Sequence, residues 1–317
     1  MTQIKEFTTN TVNSRLQTAT GAPVLHLSPA EELLRQLLLV CCDSIVSSKN
    51  DVTNLDMWFV GGGFETDFSI FGHALENYLQ REKHKYIEEA RRRRVPTVIS
   101  KLHEIKRNSK KSKHLETASL HSIFGLSVGF VNLRKETYSE DSRIPQMEFG
   151  TPAEDAHRRD ATINALFYNL KTGIIEDHTE LGLHDLAAGV IRTPSSPFEV
   201  FDDDPLGILR LIRIATQLGF RIERKTVQAI RSAERPGQLC TKVSRERVET
   251  ELIKILKGPN TLSGFQLIHE LHLYNAVFLR GLPYSEDEDA SWVLQQSGPY
   301  GPWHTEWARA LKPWLSC

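Results

Sequence analysis

The sequence predicts an α+β protein whose first half carries a sheet and whose second half is all helix. Three observations lead there. Between the apolar run "MWFVGG" and Thr179, short apolar segments alternate with turn residues, which is strand punctuation. From Asp202 onward the apolar residues recur at helical spacing instead. The 317 residues exceed one ordinary domain and allow two or three. Strands first and helices after imply segregated layers or two domains.

Residues 1–27 are Thr-rich, with Lys5, Glu6 and Arg15, and read as a flexible tail with a weak presequence character. Ser28 is placed to cap a helix with Pro29 at its first position, and Leu33, Leu34, Leu37 and Leu38 continue it. The strand "MWFVGG" follows, then a helix over "FGHALENYLQREKHKYIEEARRRR". "TVISKLHEI", "KHLETASLHSIF" and "LSVGFVNLR" read as strands by partial alternation. "NALFYNLKTGIIEDHT" reads as strand, Lys-Thr-Gly turn and returning strand. Helices then fill 202–278, with Asp202, Asp203 and Asp204 expected to cap one that starts at Pro205. The predicted units are 28–193, 194–279 and an atypical tail, 280–317, with a boundary near Thr193-Pro194.

Composition narrows the function. A net charge of −1 points to no polyanion partner in bulk. Locally, Arg91–Arg94 and the Lys-rich 101–114 form one basic stretch, either a solvated helix end and loop or an RNA-contacting surface. Cys41, Cys42, Cys240 and Cys317 show no metal-type spacing, so structural zinc and a disulfide framework are not expected. No apolar run is long enough to span a bilayer. Cytoplasm, nucleus and mitochondrion all remain open, and oligomeric state is not legible.

Four stretches carry chemistry. In "FVGGGFETDFSI" a strand ends in Gly61, Gly62 and Gly63, and Glu65 and Asp67 follow at i and i+2. That suits a metal-bound triphosphate. In "EDAHRRDATINAL", Arg158 and Arg159 offer fixed donor forks for phosphate oxygens, or form a surface ion-pair cluster. Asp160 either caps the turn that holds Asn164 or accepts from a sugar hydroxyl. In "FDDDPLGILRLIRIATQLGF", Asp203, Gly207 and Arg210 share a helix face, with Arg213 three residues on. They either meet a nucleobase edge or complement the helix dipole. In "SRERVETELIKIL", Ser244 is placed as a cap and Arg247 with Glu251 as an i,i+4 pair.

Taken in order with "KSKHLETA", "FVNLR" and "DATINALFYN", these stretches resemble the class II tRNA nucleotidyltransferases, the CCA-adding enzymes and poly(A) polymerase head-domain family, most closely the fungal type. The resemblance runs over roughly Ser28 to Phe278. It implies a polymerase-β-like head with a small mixed sheet, then a helical neck and a truncated body. It implies addition of C and A to the tRNA 3′ end from CTP and ATP, with Mg²⁺ held by two carboxylates. By position, Glu65 and Asp67 would be the catalytic metal acids. Gly61, Gly62, Arg159, Asp160 and Asn164 would hold the nucleotide. Asp203 and Asp204 would read the base, and Arg210 and Arg213 would lie nearby. The stretch around Arg247 would brace the neck.

Three departures stand out. Family members place a loop and helix start between the glycine turn and the acids, whereas here Gly63 and Phe64 alone separate Gly62 from Glu65. Gly207 stands where the family carries the base-reading Arg. Gly129 stands where related fungal sequences carry an acid. A weakened or inactive RNA-binding paralogue on the same scaffold is therefore the second reading.

Overall fold

The computed structural model describes residues 16–17, 24–48, 58–60, 63–65, 68–105, 117–139, 142–232 and 234–278. The expected tail at 280–317 lies outside the described residues. Within the stretch expected to be an N-terminal tail, β1 (Leu16–Gln17) pairs antiparallel with β2 (Val24–Leu25). Leu25 and Leu27 pack against the first core, so the end of this stretch is docked.

Helix α1 (Pro29–Ser48) starts where the capping residues put it. The Glu31 amide donates to Ser28 Oγ at 3.3 Å, and the Ser28 amide donates to Glu31 Oε2 at 2.6 Å. The reciprocal bonds satisfy donors that a helix start leaves open. After β3 (Trp58–Val60) and β4 (Gly63–Glu65) comes the long α2 (Phe68–Arg92). Strands β5 (Leu102–Ile105), β6 (Thr117–Ile123) and β7 (Leu126–Val131) follow. β10 (Leu166–Asn169) and β11 (Ile175–Asp177) form the hairpin that Gly173 allows, its φ being +71°.

These strands form one seven-stranded sheet in the order β11-β10-β3-β4-β7-β6-β5. All its pairs are antiparallel except β4 with β7. The mixed sheet of the sequence reading is present. One face packs on α1 and α2 through Leu33, Leu37, Leu38, Leu75, Phe130 and Tyr168. Neighbouring Phe167 belongs to a separate small cluster with Ala156 and Ala165, on the other face as strand alternation requires.

A hairpin of β8 (Arg134–Ser139) and β9 (Ser142–Phe149) stands apart as a two-stranded ribbon, and the sequence did not announce it. Its strands are polar, and Pro145 argues against a strand because it cannot donate to a ladder. The register shifts between Thr137 and Ser139, opposite that proline, so the ribbon tolerates it.

The second half is helical. It comprises α3 (Pro152–His157), α4 (Gly182–Ala188), α5 (Pro197–Asp203), α6 (Gly207–Leu218), α7 (Arg224–Ile230), α8 (Glu234–Lys242), α9 (Arg245–Leu256), α10 (Thr261–Glu270) and α11 (Tyr274–Phe278). The helices from α5 onward enclose a second core around Phe201, Leu209, Ile212, Leu252 and Ile268. Strands do not stop at Asp202. β12 (Val190–Ile191) pairs in parallel with β13 (Arg221–Ile222) and stitches the chain on either side of Thr193-Pro194 together.

The acidic run is corrected here. Asp202 and Asp203 end α5, and α6 begins at Gly207 rather than Pro205. A residue before proline is pushed out of the helical region, and Asp204 is extended, at φ −131° and ψ 93°. Gly207 therefore sits at the first turn of α6, where the cost of an interior glycine does not apply. Ser244 occupies the cap position of α9 but makes no side-chain capping bond.

Candidate nucleotide site

Helix α3 is fixed at its start by a capping box: the Glu154 amide donates to Thr151 Oγ1 at 3.3 Å and the Thr151 amide to Glu154 Oε2 at 2.9 Å. The backbone bond from Thr151, then Lys135 at 2.9 Å, holds the Glu154 carboxyl down to about 2. Next to it, Asp155 is fully buried. It accepts from the Arg134 amide at 3.1 Å, Arg158 Nε at 2.8 Å, and Arg159 Nε at 2.9 Å and Nη2 at 2.6 Å; Arg158 Nη2 donates to it as well. One carboxylate thus sets both guanidinium planes. The Arg159 guanidinium also lies over the Phe167 ring, 5.5 Å from its centroid.

Asp160 does not cap the following turn; Ala161 takes that place, extended at φ −140°. The Asp160 carboxylate accepts instead from Arg210 Nη1 at 3.0 Å, fifty positions along the chain on α6. The 3₁₀ turn Thr162–Asn164 is anchored from behind. The Thr162 amide donates to the Arg192 carbonyl at 2.9 Å, and Thr162 Oγ1 to the buried Asp185 at 2.7 Å. Asn164 is half-buried, and its side chain has no hydrogen-bond partner among the described residues.

The acidic turn between α5 and α6 is held by the later helices. Asp204 Oδ1 accepts the Leu206 amide at 3.3 Å, and Oδ2 accepts Arg247 Nη2 at 2.9 Å. Arg210 Nη2 lies 3.9 Å from the same oxygen. Burial alone would lower the Arg210 pKa; Asp160 and then Asp204 outweigh it and raise it. Buried Arg235 pairs with Asp202 and donates to the Phe198 carbonyl at 3.1 Å, while Lys242 Nζ reaches the Asp202 carbonyl at 2.8 Å. The bond from Arg235 holds the Asp202 carboxyl below the usual range.

The pairing expected within α9 is replaced by a tertiary one. Glu251 does not meet Arg247; it accepts Arg213 Nε at 2.8 Å and Lys254 Nζ at 2.7 Å. Arg213 is therefore committed to α9. Burial pushes the Glu251 carboxyl up, but the bonds from Lys254 and Arg213 outweigh it and leave it lowered. A lowered carboxyl stabilises the fold above its unfolded value, about 4.3, and loses that contribution as pH falls through the folded value. Glu251→Gln is expected to cost about 2 kcal/mol at neutral pH and to flatten the acid limb of the stability curve below about pH 4.3. Urea unfolding across pH 3 to 7 checks it.

Of the residues singled out in the sequence, Asp160, Asp204 and Arg210 come together, with Arg159 beside Asp160 and Asn164 at the next turn. Asp203 is exposed at the end of α5. Glu65 ends β4, opposite Trp58 on β3 and Val131 on β7. Its backbone therefore sits in the middle of the sheet. Gly61, Gly62 and Asp67 lie outside the described residues. β3 and β4 pair Val60 with Gly63, so the shortened connection closes an antiparallel hairpin with two glycines between those partners. Gly63 also pairs with Gly129, where an added Cβ would meet nothing within 4 Å. Among the described residues no group of three or more His, Cys, Asp or Glu is placed to hold a metal ion. Sequence reasoning missed Asp155, Arg235 and the partner of Arg247. The i,i+4 spacing of Asp155 and Arg159 was the available signal for the first.

Residues 66–192 match the poly(A) polymerase head domain, and 219–284 match the probable RNA and SrmB-binding site of polymerase A. The chain is 47% identical over 208 residues to the mitochondrial CCA tRNA nucleotidyltransferase of Saccharomyces cerevisiae, covering 66% of this chain and 36% of that one. The chain belongs to the tRNA nucleotidyltransferase and poly(A) polymerase head-domain family. Nucleotidyltransferase lcsQ of Purpureocillium lilacinum is 43% identical over 297 residues, 84% of this chain and 49% of its own. The chain spans a third to a half of the length of these relatives. The fold agrees too: a CCA-adding enzyme in its apo form II matches with a TM-score of 0.58 at 21% identity, over 98% of this chain and 69% of its own. No helix among the described residues is long and apolar enough to cross a membrane, and Cys41, Cys42 and Cys240 form no disulfide among them.

Proposed function

We propose that this chain is a tRNA nucleotidyltransferase that adds C, A or both to the tRNA 3′ end from CTP and ATP. The observation that carries the reading is the Asp160–Arg210–Asp204 cluster. It joins "RRDATINAL" to "DDPLGILRLIR", the two stretches in which the resemblance is most specific. The head is assigned to 28–193 and the neck to 194–279.

Glu65 and Asp67 supply hard oxygen donors at i and i+2, a donor set suited to Mg²⁺. Bound there, the ion would neutralise charge on the triphosphate and the departing pyrophosphate. Gly61 and Gly62 let the backbone approach the phosphates closely. Arg159, its plane fixed by Asp155, offers donors to phosphate oxygens, and Asp160 and Asn164 orient the sugar. Asp203 and Asp204 face the base, and Arg210 holds Asp160 against them. Arg213 acts at one remove, bracing α6 on α9 through Glu251.

The test is incubation of the full chain with Mg²⁺, CTP, ATP and a tRNA lacking its CCA end. The reading expects added C or A residues; tRNA binding without addition would sink it. Affinity for tRNA is expected to fall steeply with salt, because it rests on Lys and Arg meeting phosphate. A binding constant unchanged between about 50 and 200 mM salt, followed by filter binding, would contradict that.

A further inference from the structure

We infer that Arg247, on α9, is a specificity-determining residue that supplies the donor half of base recognition. This inference rests on the nucleotide-site reading above. Gly207 has no side chain to offer a base. Its position is buried, and an added Cβ would be in ordinary contact with the Phe201 ring at 3.8 Å and Asp160 Oδ1 at 3.9 Å. Arg210 is committed to Asp160 at 3.0 Å and stays 3.9 Å from Asp204, beyond hydrogen-bond distance. The guanidinium that Asp204 does hold comes from Arg247, at 2.9 Å.

Helix α9 aims it there. Arg247 and Glu251 are one turn apart on the same face. Glu251 is pinned to Arg213 of α6 at 2.8 Å, which sets the rotation of α9 and turns Arg247 towards Asp204, at the end of α5. The pair is open to solvent, with side-chain exposures of 48% for Arg247 and 30% for Asp204. Exposed ion pairs contribute little to folding, so stability gives little reason for its placement. Among the described residues the other donors of Arg247 have no partner. Asp204 Oδ1 accepts only one amide, at 3.3 Å, and keeps acceptor capacity.

The result is an acceptor beside a donor. Cytosine presents an N4 amino donor next to the N3 acceptor, and adenine an N6 amino donor next to the N1 acceptor. Both match Asp204 and Arg247. Uracil and guanine present a carbonyl acceptor next to an N–H donor, the reverse order, and would set carboxylate against carbonyl. One Asp–Arg edge thus admits both bases the reaction needs and rejects the other two. A well-formed bidentate pair of this kind discriminates by roughly tenfold or more.

The experiment is equilibrium titration of the full chain with CTP, ATP, UTP and GTP in Mg²⁺, for wild type, Arg247→Ala and Arg247→Lys. Wild type is expected to prefer CTP and ATP by at least about tenfold. Arg247→Ala should reduce the preference to about twofold, and Arg247→Lys should keep part of it, since lysine retains charge without the fork. Both variants should melt within about 4 °C of wild type. Preference retained in Arg247→Ala, with wild-type CTP binding, would make Arg247 a structural tether only and overturn the inference. Preference lost in both Arg247→Ala and an Arg210→Ala control, with Tm collapsed in each, would do the same, since the loss would then follow unfolding. A wild-type chain that binds no nucleotide, or all four alike, overturns the nucleotide-site reading itself.

Discussion

Replacing Asp155 with Asn is expected to destabilise the protein by about 3 kcal/mol and to raise the KM for CTP and ATP at least tenfold. Asp155 is fully buried, and both of its oxygens are taken by guanidinium groups and by the Arg134 amide. The amide of Asn presents one acceptor and one donor where two acceptors are needed. One arginine then loses its partner and faces an N–H instead. Arg158 and Arg159 are only 18% and 15% exposed at the side chain, so water replaces the lost bonds incompletely. Removing one member of a buried ion pair costs several kcal/mol for that reason. The expected kinetic signature follows from position. Arg159 keeps its charge but loses the carboxylate that fixes its plane. The first effect is on nucleotide binding rather than on chemistry, so KM moves further than kcat. Urea unfolding reads the stability change and steady-state incorporation reads the KM. A variant with lowered stability and an unchanged KM would reduce Asp155 to a structural role.

Glu65→Gln and Asp67→Asn are each expected to lower nucleotide incorporation by about a thousandfold or more while leaving tRNA affinity within about twofold. Each substitution keeps size and removes a charge. A metal-bound phosphoryl transfer draws several kcal/mol of transition-state stabilisation from its ions, and about 4 kcal/mol is a thousandfold in rate. Affinity for tRNA draws on basic residues elsewhere and does not need these acids. Loss of incorporation together with loss of tRNA binding would show that the acids hold the fold rather than the ion.

How much of this was legible in the sequence depends on how local the determinant is. The start of α1 was, because Ser28, Pro29 and Glu31 settle it among themselves. The β10–β11 hairpin was, because Lys171, Thr172 and Gly173 form a local turn. The β8–β9 ribbon was not, since its strands carry no apolar face and one contains Pro145. The acidic run Asp202–Asp204 looked like a helix start, and Ser196-Pro197 had already begun a helix that it ends. In the site, "RRDATINAL" and "DDPLGILRLIR" announced themselves by residue type. Their partners did not. Arg247 and Glu251 have the spacing of a pair within one helix, yet each reaches a different residue near α6, because a buried tertiary carboxylate pairing outcompetes an exposed local one. The short spacing from Gly62 to Glu65 was legible as a departure from the family; that Val60 pairs with Gly63, and that Glu65 ends a strand in the middle of the sheet, was not, because strand pairing is set by partners distant in sequence.

The most direct measurement is the length of a 5′-labelled tRNA lacking CCA after incubation with Mg²⁺, CTP and ATP. It is made in parallel with wild type and with the double variant Glu65→Gln/Asp67→Asn. The account predicts extension by the wild type and none by the variant, with equal tRNA binding by both. An unextended tRNA bound by the wild type, or equal extension by the two, would contradict it.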